Sequence, residues 1–525
     1  MDINSSENSH IGCETVTVGS WQKRSGGAAY WLTIVVFGWC ALYALIFLYH
    51  GGRQVLYPFD VDNSEAYLVY QGVRISEGQF LYPKLEEAPY LVDNYPPLYP
   101  ALIGAGFTFM PPNFHWPRAI SLASTCLTAI LLGFWTLRLT RSKPAALLTA
   151  LVYLSFYHVN NWGALARVDA LGVVLAVSAL LVFEKKRSWK MALPLIILSL
   201  MTRQTLFAAP LAIYAAQLTA HLSVQLSVQL SVQNRKSAHT YLGMLLGSGV
   251  VIGVVLLLVT SGRAWNHLVI YNANTFRLSD VYNYFNQWLR LYTLWGCAPL
   301  LIFFTQYPGS NREDNRTSPL LFWFTLLAIG EALLCGKIGS APNYLLSLVA
   351  ASSVGVGLIY SYLEEVKEYA VNSDCAAKRN IPLMIFLCAC LLQLGSTWHW
   401  PNSVMSFGYT PTTKDALIGD RLMKDLAKVE GPVLSDRAGI ALMAGHIPVF
   451  QPFILTQLAQ EGIWDQSALL KRIENKEFPK VLLHFDLSNP RWDKERFTPE
   501  MIGVLQKSYA LERNVGSKYF IYRPQ

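Results

Sequence analysis

Long apolar runs organise this chain. Six of them, 31–49, 118–137, 241–260, 318–335, 342–363 and 381–397, meet or approach the roughly 20 residues a helix needs to cross a bilayer. Their apolar positions are continuous instead of alternating, so they read as helices and exclude barrel strands. Shorter runs at 144–157, 169–184, 191–203, 204–218 and 290–305 complete a set of eleven predicted crossings. After residue 398 the pattern changes. Residues 413–429 place Lys414, Asp415, Asp420, Arg421, Lys424 and Asp425 on one helical face. Val433-Leu434, Lys480–His484 and Tyr509–Tyr522 read as short strands. The expected fold is an all-α polytopic membrane bundle with interfacial helices and a small C-terminal α/β domain at 411–525. A short tail at 1–30 precedes the transmembrane module at 31–400.

Charge sets the expected orientation. Basic residues cluster at Lys23/Arg24, Arg138/Arg141/Lys143, Lys185/Lys186/Arg187/Lys190, Arg235/Lys236, Arg312/Arg316 and Lys367/Lys378/Arg379. The positive-inside rule assigns these six clusters to the cytoplasm. Residues 50–117 and everything after 398 then lie outside. A connection that begins and ends outside cannot contain a crossing, so the apolar piece 97–110 is expected to lie in the outer interface, with 64–77 as a second interfacial helix. The first apolar run has no small-residue cleavage site and reads as an uncleaved signal anchor of a plasma (inner) membrane protein.

Composition agrees with that class. Of 525 residues, 53% are hydrophobic and 14% charged, against about 25% charged in soluble domains. Net charge is +8 without a dense basic cluster, which loop asymmetry explains and which excludes a nucleic-acid partner. The eight cysteines show neither disulfide framework nor metal-ligand spacing. LSVQ occurs three times over 222–233 and is expected to form a short strand or nothing. The acceptor-like Asn315-Arg316-Thr317 falls on the cytoplasmic side and reads as chance.

Chemistry concentrates in residues 59–100. Asp60, Asp62 and Glu65 stand within two helical turns of a membrane boundary, where carboxylates are costly and usually functional. The stretch ends in Asn94-Tyr95-Pro96-Pro97-Leu98-Tyr99. Arg118, Arg167, Arg203 and Lys337 stand singly at outer helix mouths, against the topogenic bias. Guanidinium forks and a lysine ammonium suit a phosphate headgroup; snorkelling or structural pairing, such as Arg167 with Asp169, is the alternative role. Carboxylates at a rim with cations at the mouth fit transfer of a sugar from a lipid phosphate. The carboxylate takes the proton of an attacking hydroxyl, and the cations stabilise the leaving phosphate. A transporter or flippase of lipid-linked sugars would also place charges in a membrane cavity, but repeated halves and midplane charges are lacking.

These motifs, in order, resemble the GT-C-superfamily glycosyltransferases of the protein-mannosyltransferase-like kind, family 39 and relatives including the aminoarabinose transferase of lipid A. The resemblance rests on the acidic first outer loop, Gly78-Gln79-Phe80-Leu81-Tyr82, Asn94 to Tyr99, Arg118, Arg167-Val168-Asp169, Thr202-Arg203-Gln204 and Gly339 to Tyr344. It implies a polyprenyl-phosphate sugar donor, an outward-facing site, an inverting displacement, and a lipid, glycan or protein acceptor. On this reading Asp62 or Asp60 is the base. Glu65 orients acceptor or sugar, or helps hold a divalent cation; no cofactor is otherwise required. Arg118, Arg167, Arg203 and Lys337 contact the donor phosphate, with Asp169, Tyr95, Asn343 and Tyr344 as further substrate contacts. The chain departs from the family in one place: the usual adjacent Asp-Glu pair is spread over Asp60, Asp62 and Glu65.

Overall fold

The computed structural model describes residues 18–186, 188–219, 228–304, 319–369, 380–398, 410–489, 494–516 and 518–525. Helices stand at every apolar run: α1 (Val18–Val55), α4 (His115–Thr140), α5 (Lys143–Ser155), α7 (Val168–Lys186), α8 (Trp189–Thr202), α9 (Ala208–Thr219), α10 (Val228–Val259), α12 (Thr293–Phe304), α13 (Pro319–Ala332), α14 (Leu346–Tyr369) and α15 (Ile381–Trp398). Two interfacial candidates, α2 (Glu65–Ser76) and α3 (Leu98–Phe107), the short α6 (Tyr157–Trp162) and the amphipathic α11 (Leu278–Leu291) lie between them. Five of the described helical stretches are long and apolar enough to cross a bilayer: Gly27–Val55, His115–Thr140, Gln233–Val259, Pro319–Gly336 and Pro342–Val366. The chain is an integral membrane protein, and several of the other predicted crossings are helices of shorter span.

Local sequence explains the breaks. Ser142 caps α5 by accepting the Ala145 N–H, with a proline in the first turn. The run 191–218 divides at Arg203, whose backbone is extended, so α8 and α9 are separate helices. The tandem LSVQ stretch was expected to be a strand or unstructured; its part within the described residues, 228–233, is the helical start of α10. Asn315 and the Arg312/Arg316 cluster lie outside the described residues.

The main core joins Tyr43 and Phe47 of α1, Trp135 of α4, Val177 of α7, Trp295 of α12 and Val354 of α14, all buried. Pocketing α2 against α3 requires Gly72, where a Cβ would stand 2.3 Å from the Ile103 side chain.

After α16 (Thr413–Leu426), capped by a Thr412/Asp415 box, come β1 (Val433–Ser435), β2 (Lys480–Leu483), β3 (Tyr509–Val515) and β4 (Tyr519–Pro524). They form one sheet in the order β1-β2-β4-β3, parallel at β1/β2 and antiparallel elsewhere. The outer loop enters this unit. Leu85, Tyr90 and Val92 share a core with Leu434, Phe450 and Val481, and Tyr57 and Phe59 pack with Leu422, Val433 and Ile521. Tyr90 donates its N–H to Val449 O (2.9 Å) and accepts the Gln451 N–H (3.2 Å). The acidic loop and the C-terminal unit therefore lie on the same side of the bilayer. The loop's far limb is pinned by Arg74–Asp93 (3.0 Å) and by His267, whose Nδ1 accepts the Asp93 N–H (3.0 Å).

Candidate active site

Eleven residues were expected at the site, and the structure divides them. Glu65 and Arg118 form a sealed pair with fully buried side chains. Glu65 Oε1 accepts Arg118 Nε (2.9 Å) and the Ala166 N–H (2.7 Å). Its Oε2 accepts Arg118 Nη2 (2.7 Å) and the N–H groups of Val61 (2.7 Å) and Asp62 (3.1 Å). Arg118 spends its remaining donors on the carbonyls of Gln54, Tyr57 and Phe59. All five guanidinium N–H groups are thus taken, and neither side chain lines the cavity below. Burial alone would raise the Glu65 carboxyl, but Arg118 and the backbone donors outweigh it and hold it below the usual carboxylate range. Glu65 grips the backbone of Asp62 and of Ala166, the residue before Arg167. It therefore positions both from outside the cavity.

The Asp60 side chain is 6% exposed and also lies outside the cavity. Its Oδ2 lies 3.6 Å from Arg437 Nε, and Gly439 approaches so closely that a Cβ would meet the carboxylate. Burial raises the Asp60 carboxyl, with Arg437 acting against it. Arg437 Nη2 donates to Val61 O (2.8 Å), so this contact ties loop to C-terminal unit.

The other expected residues converge. Asp62, Tyr95, Arg167, Arg203, Lys337, Asn343 and Tyr344 line one cavity of about 290 Å³ between the outer loop, the α8–α9 turn, the Lys337–Tyr344 segment and the C-terminal unit. Asp62 Oδ2 accepts from Arg167 Nη1 (3.1 Å) and the Ser64 N–H (3.0 Å). Its Oδ1 has no partner among the described residues, and the side chain is 26% exposed. Arg167 also donates to the Tyr95 hydroxyl (3.3 Å). Asp169 sits behind the wall, fully buried, paired with Arg203 and accepting from Asn343 Nδ2 (2.9 Å). Arg203 lies 4.0 Å over the Tyr344 ring. Lys337 donates to Asn272 O (2.6 Å) and Oδ1 (3.3 Å), both neutral. Among the described residues it is the lining cation without a carboxylate partner. Gly339 turns this segment with φ +79°, against Phe453, where a Cβ would stand 2.3 Å away.

Sequence reasoning missed the C-terminal contribution. Arg496 and Gln451 reach the cavity. Arg496 is anchored on buried Asp436, which His484 also contacts (2.9 Å). Burial would raise Asp436, but His484 and then Arg496 hold it low. Arg496 lies in a charge-dense stretch and has no local signal separating it from surface charge. Asn272 and Asn274, also missed, were visible only as a polar break in the connection 261–289. Among the described residues no three His, Cys, Asp or Glu gather in a way that could hold a metal ion.

No protein-family model and no curated protein matches the chain in sequence. Solved structures do match it in shape. ArnT from Cupriavidus metallidurans in the apo state superposes with a TM-score of 0.57 at 10% identity, over 92% of this chain and 97% of that one. The same protein bound to undecaprenyl phosphate gives 0.51 at 12%, over 92% and 98%. The archaeal oligosaccharyltransferase AglB from Archaeoglobus fulgidus, in complex with an inhibitory peptide and a dolichol-phosphate, gives 0.55 at 12%, over 94% and 74%. At such identities the likeness is one of fold, shared with ArnT and AglB along most of the chain.

Proposed function

We propose that the chain is an integral membrane glycosyltransferase that moves a monosaccharide from a polyprenyl-phosphate donor to an acceptor hydroxyl on the outer face of the membrane, with inversion. One observation carries this reading: Asp62, with an oxygen left free by the described residues, and Lys337, without a carboxylate partner among them, share one cavity at a helix mouth. Asp62 Oδ1 takes the proton as the acceptor oxygen attacks the anomeric carbon. The bond from that carbon to the phosphate oxygen breaks on the opposite side. The lipid phosphate leaves with one more negative charge, which Lys337 stabilises with Arg203 beside it. Arg167 and Tyr95 keep Asp62 in place. Glu65 and Arg118 are scaffold in this mechanism, and Asp60 joins the loop to the C-terminal unit.

An apolar groove of about 450 Å³, walled by Leu200, Phe207, Leu211, Leu246 and Val250, flanks the Arg203–Thr205 turn and suits the lipid tail. The basic clusters Arg138/Arg141/Lys143, Lys185/Lys186/Lys190 and Arg235/Lys236 support the outer location, since they stand at the helix ends opposite those that bear Arg118, Arg167 and Arg203. Acceptors on this reading are a lipid, glycan or protein.

The test is incubation of purified protein with radiolabelled polyprenyl-phosphate sugars, scoring release of free lipid phosphate. Release by the wild type and near loss with Asp62→Asn is expected. Equal release by both would remove Asp62 from the chemistry. Orientation is tested with single cysteines at the exposed positions Lys428 and Lys236. An impermeant thiol reagent should label the first and spare the second in intact cells or spheroplasts; the reverse pattern would invert the assignment.

A further inference from the structure

The cavity wall is unusual in its neutral polar groups. Seven carboxamides reach it: Asn63 and Asn94 from the outer loop, Gln204 from the α8–α9 turn, Asn272 and Asn274, then Asn343, and Gln451 from the C-terminal unit. Some are spent on the protein. Asn274 Nδ2 donates to Ile338 O (2.9 Å), and Gln451 Oε1 accepts the Val92 N–H (3.1 Å). Others have unused capacity. Gln204 Oε1, Asn343 Oδ1 and the Thr205 hydroxyl are buried atoms without a hydrogen-bond partner among the described residues. Asn343 is itself 4% exposed. Buried acceptors left open in a native protein call for a donor from outside the chain.

The charges say what that donor cannot be. Four cations line the cavity: Arg167, Arg203, Lys337 and Arg496. Three carboxylates oppose them, Asp62 on Arg167, Asp169 on Arg203 and Asp436 on Arg496. One positive charge, that of Lys337, is left over. A sugar phosphodiester carries one negative charge and cancels it. An ammonium on the sugar would then meet a net positive lining in which each carboxylate, Asp62 included, is already opposed by an arginine, and a carboxylate on the sugar would meet no remaining cation.

Building on the glycosyltransferase reading, we propose that the transferred sugar is uncharged, a polyhydroxylated ring without free amino or carboxylate groups, whose hydroxyls donate to Gln204, Thr205 and Asn343. Carboxamides suit hydroxyls because each offers acceptor and donor on one planar group.

The experiment measures binding of lipid-linked sugars to the full-length protein in nanodiscs, followed by tryptophan fluorescence, since Trp162 lines the cavity. The panel is one polyprenyl-phosphate carrying a neutral hexose, an aminosugar or a uronic acid, with the bare polyprenyl phosphate alongside. The neutral sugar should bind on the order of 10²-fold tighter than either charged one. Equal or tighter binding of a charged sugar overturns the proposal while leaving the transferase reading intact. Bare lipid phosphate binding as tightly as the neutral conjugate also overturns it. Selective binding of the neutral sugar without transfer to any acceptor sustains the pocket and sinks the transferase reading. Binding of none of the panel sinks both. In the variant Gln204→Glu the preference against the aminosugar should narrow about tenfold; an unchanged ratio there would place the sugar elsewhere.

Discussion

Two charged sites stand a few residues apart in this protein and have opposite characters. Around Glu65 and Arg118 every donor and acceptor is used, both side chains are fully buried, and the pair holds the backbone of the acidic loop to α1, α4 and the start of α7. Around Asp62 and Lys337 the groups are partly exposed, an oxygen of the carboxylate is free and the ammonium meets only neutral oxygens. Saturation makes the first site a fixture, because a ligand could enter only by displacing hydrogen bonds already made. Incompletion leaves the second open to a ligand, as the proposed chemistry requires. The two are linked, since Glu65 holds the peptide groups from which Asp62 and Arg167 project.

The comparison is most severely tested by breaking the sealed pair. Arg118→Ala leaves a buried carboxylate uncompensated, which costs about 3–5 kcal/mol. The expected outcome is little or no folded protein in the membrane, read by yield after size exclusion in mild detergent. A variant that purifies normally would show that the pair is not structural. At the open site, Asp62→Asn should leave yield and melting temperature unchanged and lower transfer by about 10²–10⁴-fold. A fall in stability matching the fall in rate would erase the distinction between the two sites.

Lys337→Met removes a single ionic contact to phosphate, worth about 1.5–3 kcal/mol. Donor affinity should fall roughly 10- to 150-fold by the same conversion, with folding intact. Unaltered affinity would move the phosphate to another cation.

Acid should act on the saturated groups. Glu65 and Asp436 both have carboxyls held below their usual range in the folded chain. Each therefore contributes stability above its unfolded value, near 4, that is lost as pH falls through the depressed folded value. Asp60 has the opposite sign: burial raises it, so its contribution is present at low pH and lost as pH rises through its folded value. With two groups against one, the melting temperature should fall below about pH 4, and Asp436→Asn should flatten that fall. A melting temperature that rises on acidification would reverse the assignment. The smallest effect is expected where neither site is touched. Lys84–Glu87 is exposed, and Lys84→Ala should change stability by less than about 1 kcal/mol and leave transfer unaltered.

Seven of the eleven residues singled out by sequence line the cavity, and Asp169 backs it through Arg203 and Asn343. They were legible because a charge at a helix mouth on the outer side opposes topogenic bias and stands out from apolar surroundings. Three others, Asp60, Glu65 and Arg118, carry the same signal yet face inward to partners. Nothing local distinguishes a carboxylate that binds an arginine from one that binds a substrate. Arg496 and Gln451 failed in the reverse sense: in a segment of soluble-domain composition, polar residues carry no information about where they point.

The apolar periodicity by itself determined the long helices, including the division of 191–218, and the strands of the C-terminal unit, because those depend on neighbours three or four positions away or alternate along one strand; it did not give the helical start of α10 at 228–233 or the short α6 and α11. It also determined which cations needed explaining. Only the tertiary structure decided how the charges pair, since Glu65 meets Arg118 across 53 residues and Arg167 meets Asp62 across 105. It alone brought the C-terminal unit over the cavity and put Leu85, Tyr90 and Val92 into that unit's core. A carboxylate's role follows from whether its oxygens are already occupied, and the occupants here come from distant parts of the chain.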